Sequence, residues 1–373
     1  MKAAFVYDDA LSRHTLRDGH PMKPHRLRTV YELLDAYGAF ELPDALLVRP
    51  RPATEAELLR VHDARYMAAV QALSDGRSVP DAARYGFSDG GDNPIYPGMY
   101  EAALLSTGAS MVAAELVVSG AAPVAFSISG GLHHAARDHA SGFCIFNDPA
   151  VAIAWMVEQG LRVAYVDIDA HHGDGVQNLF YDDDRVLTIS FHESGRYLFP
   201  GTGEVSEAGN GRGRGLSANL PLFPYTGDAV FLPAFEAVVP PLVTAFQPDV
   251  LVAQLGVDAY HTDPLTHLQL TSAAYRHALP RLLALSPRVV ALGGGGYDVG
   301  AVARLWALEY GWMLGRDWPD AVPAAFAERY GVTALNDTEP PDIPPHLTAR
   351  ARAFAADGIE GLRDLGFAVG AME

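Results

Sequence analysis

Cysteine is almost absent: Cys144 is the one such residue among 373. That scarcity excludes an internal disulfide framework and a thiolate metal cluster, so any metal has to be held by imidazole and carboxylate groups. Basic residues are short too, with 27 Lys and Arg against 45 Asp and Glu and a formal net charge of −18. Phosphate backbones are bound through neutralising cations, so nucleic acid is not an expected partner. The glycine-rich run at residues 209–215, with Arg212 and Arg214, reads as a turn rather than an RNA-binding arm. Long uninterrupted apolar runs are also missing. No stretch approaches the roughly 20 residues of a spanning helix. Charge at Lys2 and Asp8 arrives too early for a signal peptide. A membrane is not expected, and the cytoplasm is the default location.

What the chain does have is enough apolar material for a large core, at 49% hydrophobic and 19% charged. Residues 3–7, 124–128, 163–168, 186–191, 250–255 and 289–292 are short, largely β-branched runs that suit strands buried on both faces. Residues 149–159, 229–246 and 273–285 are long enough and periodic enough for crossover helices. The alternation predicts an α/β fold with a mostly parallel sheet between helical layers, an α/β/α sandwich. No repeat or linker divides the chain, so residues 1–373 are expected to form one domain. Its core would end near residue 315. A proline-rich extension from about 319 to 373, helical near 348–365, would pack on the outside.

Ligands of parallel sheets bind beyond the carboxyl ends of the strands, and the unusual polar clusters fall there. Asp169 and His171 lie two apart after one strand, where both can point the same way, and Asp258 follows another. Two carboxylates and an imidazole are the three protein ligands of an open catalytic metal site. Taken singly, an Asp-x-His is common and Asp258 could be a helix cap; the shared rim is what favours a metal. His133 and His134 are adjacent, and Asp167 and Asp174 are available to orient them, fixing each tautomer and raising basicity for acid–base work. Tyr297 follows four glycines, Gly293 to Gly296, in a loop that can bring a phenol to a developing oxyanion. No Lys-Ser/Thr follows those glycines, so the loop is not a P-loop. Cys144 beside Phe143 reads as a small buried residue rather than a nucleophile.

These segments, with residues 20–26, 130–134, 140–144, 167–175, 199–203, 254–258 and 293–297 in one order, make the chain resemble the arginase-fold histone deacetylases. The likeness is greatest to the class I enzymes and their bacterial acetoin-utilisation relatives, and spans roughly residues 5–315. It implies the arginase/deacetylase fold and zinc-dependent release of acetate from acetyl-lysine in a protein or peptide. Zinc would be held by Asp169, His171 and Asp258, with ferrous iron as an alternative. His133 and His134 would pair with Asp167 and Asp174, His134 acting as general base, and Tyr297 would polarise the carbonyl. Phe143 and Phe199 would flank the alkyl stem of the substrate, with Gly142, Leu265, His172 and Gly295 nearby. Arg26 would border an inner cavity that receives acetate, and Asp92 would be a rim carboxylate accepting substrate backbone amides. A structural potassium or sodium ion would use the Asp167 and Ser190 side chains and carbonyls of Asp169, His171 and Phe191.

Departures from that pattern matter as well. Class I corepressor enzymes carry basic residues for inositol phosphate where this chain has Pro264 and Gly300, so that regulator is not expected. His172 and Tyr260 occupy the positions where arginases need further carboxylates for a second metal, so one catalytic metal is expected. Two other readings remain open here: hydrolysis of acetylpolyamines or another small amide, and a non-catalytic acyl-lysine binding protein. The compactness of the chain reads as bacterial.

Overall fold

The computed structural model describes residues 2–14, 16–337 and 339–372 of the chain; Met1 and Glu373, the ends of the expected domain span, lie outside them. Eight strands form one sheet: β1 (Ala3–Val6), β2 (Ala45–Val48), β3 (Val124–Ser127), β4 (Val163–Asp167), β5 (Val186–Glu193), β6 (Ser217–Leu222), β7 (Val250–Gln254) and β8 (Val289–Leu292). Their order across the sheet is β2-β1-β3-β8-β7-β4-β5-β6. Every pairing is parallel, so the sheet is more uniform than the mostly parallel one expected.

The apolar runs are explained by burial on both faces. Along β1, Ala3 and Phe5 enter one core while Ala4 and Val6 enter the other. The first core includes the helices Asp228–Phe246, Ser272–Leu285 and Val299–Met313; the second includes Met99–Val118 and Asp148–Glu158. Hence the three-layer sandwich. Two of these helices, Met99–Val118 and Asp228–Phe246, are long and apolar enough to cross a membrane by length and composition. In the fold they are core helices: the first packs on β1, β3 and β8, the second on β4 and β5, and 56% of each apolar stretch is buried.

Two strands escaped the sequence pattern, and both are edges of the sheet. β2 is half exposed and only four residues long. β6 (Ser-Ala-Asn-Leu-Pro-Leu) carries polar residues and Pro221, which cannot donate a ladder hydrogen bond and is tolerated at an edge. The C-terminal helix Pro345–Asp364 packs on β6 and on the helix Asp228–Phe246. Its Ala351, Ala355, Ile359 and Leu362 are buried, so the extension joins the main core instead of merely lying outside it.

The strand order positions the site. β3, β8, β7 and β4 are consecutive neighbours, and they are the four strands whose carboxyl ends carry the polar clusters.

Candidate active site

Beyond the end of β4 the chain lays Asp169 and His171 over the sheet, and Asp258 arrives from β7, three strands on in sequence but adjacent in space. One ligand atom from each lies within 4.8 Å of the others, and all three residues are buried. His171 Nδ1 is 2.8 Å from Asp258 Oδ2 and 3.2 Å from Asp169 Oδ1. No helix starts at Asp258, so it is not a cap. Instead its Oδ1 accepts from the Ala170 backbone N–H at 2.8 Å, which fixes it against the β4 loop. Asp169 Oδ2 accepts from Gln254 Nε2 at 2.8 Å and from the Gly295 N–H at 2.7 Å.

Two carboxylates this close and this buried repel each other. Burial and the charge of Asp169 push Asp258 up to about 6. Burial also opposes charge on His171, but the two carboxylates outweigh it and raise its pKa far above the ordinary imidazole value. Such a pocket demands a cation between the carboxylates, and a divalent ion meets that demand better than a proton does. Oxygen, nitrogen and oxygen donors without sulfur suit Zn2+ or Fe2+. The residues fit the metal that the sequence implies.

The paired histidines are built the way their neighbours in sequence suggested. His133 Nδ1 is 2.8 Å from Asp167 Oδ2, and His134 Nδ1 is 2.7 Å from Asp174 Oδ1. With both Nδ1–H groups donating to carboxylates, the two Nε2 atoms face each other at 3.0 Å. One proton must lie between them. Burial disfavours a charge on His133, yet Asp167 and Asp169 overcome it and raise its pKa to about 9. His134 is driven down to about 4, first by burial and then by the His133 charge. The hydrogen bonds alone are symmetric; the added charge of Asp169 near His133 favours the imidazolium there and the neutral ring at His134.

The loop bearing this pair is held by residues that the sequence reading passed over. Asp148 accepts from the Gly131 and Leu132 N–H groups at 3.0 and 2.8 Å. Asn147 caps the helix Asp148–Glu158 through its Oδ1, while its Nδ2 donates to the carbonyls of His133 and Ala135 at 3.0 and 2.9 Å. Asn-Asp-Pro is a helix-start signal, but nothing local reveals that this cap doubles as a clamp on a loop 14 residues earlier. Tyr165, buried in β4, similarly donates to Asp167 Oδ2 at 2.7 Å.

The glycine loop after β8 needs its glycines for close approach. A Cβ at Gly295 would stand 1.9 Å from Asp258 Oδ2, so only glycine admits the loop beside the metal ligands. Arg26, reaching from the helix His25–Ala36, donates to the carbonyls of Gly296 and Gly294 at 2.5 and 2.6 Å. Tyr297 stands at the loop's end with its ring edge-on to His171, centroids 6.4 Å apart. Burial, followed by the charges of Asp258 and Asp169, lifts its pKa far above 10, so the phenol keeps its proton.

Phe143 and Phe199, the residues expected to flank a substrate stem, stand beside this centre. Phe143 is T-shaped against Tyr297 at 5.7 Å, and Phe199, 41% exposed, stands against His134 at 5.1 Å. Gly142 has φ +50°, and a Cβ there would come 2.5 Å from the His134 ring. Leu265 is half-buried on the loop after β7, and Asp92 is exposed, its carbonyl meeting His20 Nε2 at 3.1 Å while the His20 ring packs on Phe143. His172 departs from its expected place beside the substrate stem. It is 1% exposed, with Nδ1 engaged by Thr202 at 2.8 Å and Nε2 by Gln177 at 3.1 Å. It acts behind the wall, anchoring the loop that carries Phe199.

Arg26 also lines a cavity of about 80 Å3 with Leu11, Met22, Leu132 and Phe143. Arg26 Nε, Ser129 Oγ, Asn93 Oδ1 and His14 Nδ1, all among its lining residues, have no hydrogen-bond partner among the described residues. Asp167 and Ser190 face each other across the β4–β5 register, with Ser190 Oγ 2.9 Å from His192 Nδ1 and Phe191 buried beside it.

Comparison with known proteins gives the same picture. Residues 20–312 match the histone deacetylase domain. The chain is 42% identical over 330 residues to the acetoin utilization protein AcuC of Bacillus subtilis (strain 168), covering 86% of this chain and 84% of that protein. It is 33% identical over 370 residues to the histone deacetylase clr6 of Schizosaccharomyces pombe (strain 972 / ATCC 24843), covering 98% and 91%. Among solved structures, an HDAC homolog complexed with SAHA superposes with a TM-score of 0.88 at 31% identity, covering 97% of this chain and all of that one. An HDAC homolog from Aquifex aeolicus does so with a TM-score of 0.85 at 30% identity, with the same coverage. With eight parallel strands, a buried Asp-His-Asp group and these likenesses together, the chain belongs to the histone deacetylase family and has the arginase/deacetylase fold.

Proposed function

We propose that this protein hydrolyses the amide of acetyl-lysine in a protein or peptide, releasing acetate, with Zn2+ as the catalytic metal. The observation that carries the reading is the facing of the two carboxylate-held histidines, Nε2 to Nε2 at 3.0 Å, beside the Asp169, His171 and Asp258 group. Bound there, Zn2+ would supply Lewis acidity toward the amide carbonyl and toward water. The chain's own groups supply the proton transfers. Neutral His134, releasing the hydrogen bond that its Nε2 accepts from His133, takes a proton from water as the water oxygen bonds to the carbonyl carbon. Tyr297 donates a hydrogen bond to the oxygen that gains charge. As the C–N bond breaks, an imidazolium of the pair returns a proton to the amine. Asp174 and Asp167 hold the rings and stabilise their charge.

Phe143 and Phe199 would exclude water along an alkyl stem, while the outward carboxylate of Asp92 suits backbone amides of a peptide. The free Arg26 Nε–H suits a small carboxylate product in the inner cavity. Asp167 and Ser190 would serve a structural potassium or sodium ion, and the catalytic donors would accept Fe2+ as well.

Rates on acetyl-lysine peptides and on acetylspermidine decide the substrate class. The peptide is expected to be turned over at least about tenfold faster in kcat/KM, in line with an added set of backbone hydrogen bonds each contributing roughly 1 kcal/mol. A preference for the polyamine would replace the protein substrate, and absence of both activities in metal-loaded protein would leave an acyl-lysine binder.

The histidine pair also predicts a bell-shaped dependence of kcat/KM on pH. The acid limb reflects His134, which must be neutral and titrates low, at about 4. The alkaline limb reflects His133, whose charge is lost as pH rises through a value near 9. A cation neutralising Asp169, one of the charges that raise His133, moves that limb below 9. His133→Ala should remove the alkaline limb; a limb unchanged in that variant would refute the assignment.

A further inference from the structure

We propose that Asp263, to which neither the sequence nor the family comparisons assign a role, is a positioning residue that aims the Tyr297 hydroxyl and fixes the Leu265 wall through one carboxylate. The inference rests on the oxyanion role given to Tyr297 above.

A tyrosine that follows four glycines is poorly fixed by its own backbone. Gly294 and Gly296 adopt φ of +133° and +138°, in a region that only glycine occupies with ease. Hydrogen bonds with three neighbours steady residues 294–296, upstream of the tyrosine. Arg26 holds the carbonyls of Gly294 and Gly296, the Val257 N–H donates to the Gly295 carbonyl at 2.9 Å, and the Gly295 N–H reaches Asp169. At Tyr297 itself the hold is different: its N–H donates to Asp263 Oδ2 at 2.8 Å. The other oxygen, Oδ1, accepts from the Leu265 N–H at 2.9 Å.

One side chain, 9% exposed, therefore joins the loop after β7 to the loop after β8. Each carboxylate oxygen accepts one of the two bonds, so a single group sets both loops, while burial and then the charge of Asp258 push Asp263 up to about 7. The hydroxyl sits at the far end of a rigid ring, so a small rotation at Cα is magnified there, and oxyanion stabilisation is steeply dependent on donor placement. The Asp263 side chain makes no hydrogen bond to Asp169, His171 or Asp258 among the described residues, but the charge of Asp258 acts on it, so the test reads metal content beside activity.

The test is a double-mutant cycle in metal-loaded protein with an acetyl-lysine peptide, using Asp263→Asn, Tyr297→Phe and the pair. An amide can accept at one oxygen but not at both positions. Asp263→Asn is expected to lower kcat about tenfold to a hundredfold, as a misplacement of about 1 Å does, with KM changed by less than about threefold and metal content equal to that of the parent. In the Tyr297→Phe background the same substitution should cost less than about twofold, since there is no hydroxyl left to aim. Additive losses, a fall in metal content, or an effect confined to KM would each overturn the proposal. If Asp263→Asn fails to fold, Asp263→Ser, which keeps a short acceptor, carries the cycle. A crystal structure of the variant supplies a readout independent of turnover: a shifted Tyr297 ring supports the proposal and an unmoved ring refutes it. Full activity of Tyr297→Phe alone would instead strike at the oxyanion role, and that outcome is visible in the same data set.

Discussion

Stripping the divalent ion with a chelator is expected to abolish hydrolysis, and returning Zn2+ to restore it. Asp258→Asn should give the same loss without recovery. The reason lies in the charge balance of the pocket. Asp169 and Asp258 are both fully buried, with His171 wedged between them by contacts of 3.2 and 2.8 Å. Without a cation the group can only share protons among these atoms, which leaves no electrophile to meet a carbonyl. Loss of Lewis acid and water activation removes several kcal/mol of transition-state stabilisation, and at about 1.4 kcal/mol per factor of ten the deficit is at least three to four orders of magnitude. Binding to the native state alone also stabilises it, by about 4 kcal/mol at a thousandfold excess over Kd. A calorimetric scan with and without Zn2+ should therefore show the transition move up by several degrees. Activity that survives complete metal removal, verified by elemental analysis, would remove the metal from the mechanism.

The second large effect belongs to Tyr297. Tyr297→Phe deletes one hydroxyl from a site whose remaining parts stay in place: the backbone N–H still reaches Asp263, and the ring still packs against Phe143 and His171. A single oxyanion donor accounts for roughly a hundredfold to a thousandfold in kcat. KM and metal content should stay near those of the parent, because the bond strengthens only as the carbonyl oxygen gains charge. Burial keeps the phenol protonated well past neutrality, so the loss should be equally deep across the pH range of the assay. A variant that lost affinity and kept kcat would mean that the hydroxyl serves substrate binding instead.

Most of the centre could be read from the chain because its residues lie two apart at strand ends or side by side, as Asp169 with His171 and His133 with His134 do. The strands themselves were legible where both faces are buried and the apolar runs are continuous. β2 and β6 were not: β2 is half exposed, and β6, though buried beneath the C-terminal helix, is an edge that tolerates Asn219 and Pro221 and so breaks the apolar run. The supporting residues were hidden for another reason. Asp148, Asn147, Asp263 and Tyr165 act by hydrogen bonds to backbone or carboxylates that become neighbours only in the fold, and as isolated letters they are an ordinary cap, turn or core residue. His172 misled in the opposite way. The family resemblance implied a place near the substrate stem, whereas in the fold Thr202 and Gln177 engage both of its ring nitrogens.

The strand order imposes a timetable on the making of this site. β8 is the last strand of the chain, yet it lies between β3 and β7 near the middle of the sheet. Until it is synthesised, the gap between β3 and β7 is unfilled, and Arg26 has no glycine carbonyls to grip 268 and 270 residues downstream. Contacts of such sequence separation form slowly. A ribosome-bound chain that stops before residue 289 therefore carries Asp169, His171 and Asp258 but lacks both Tyr297 and the Gly295 N–H that Asp169 accepts from.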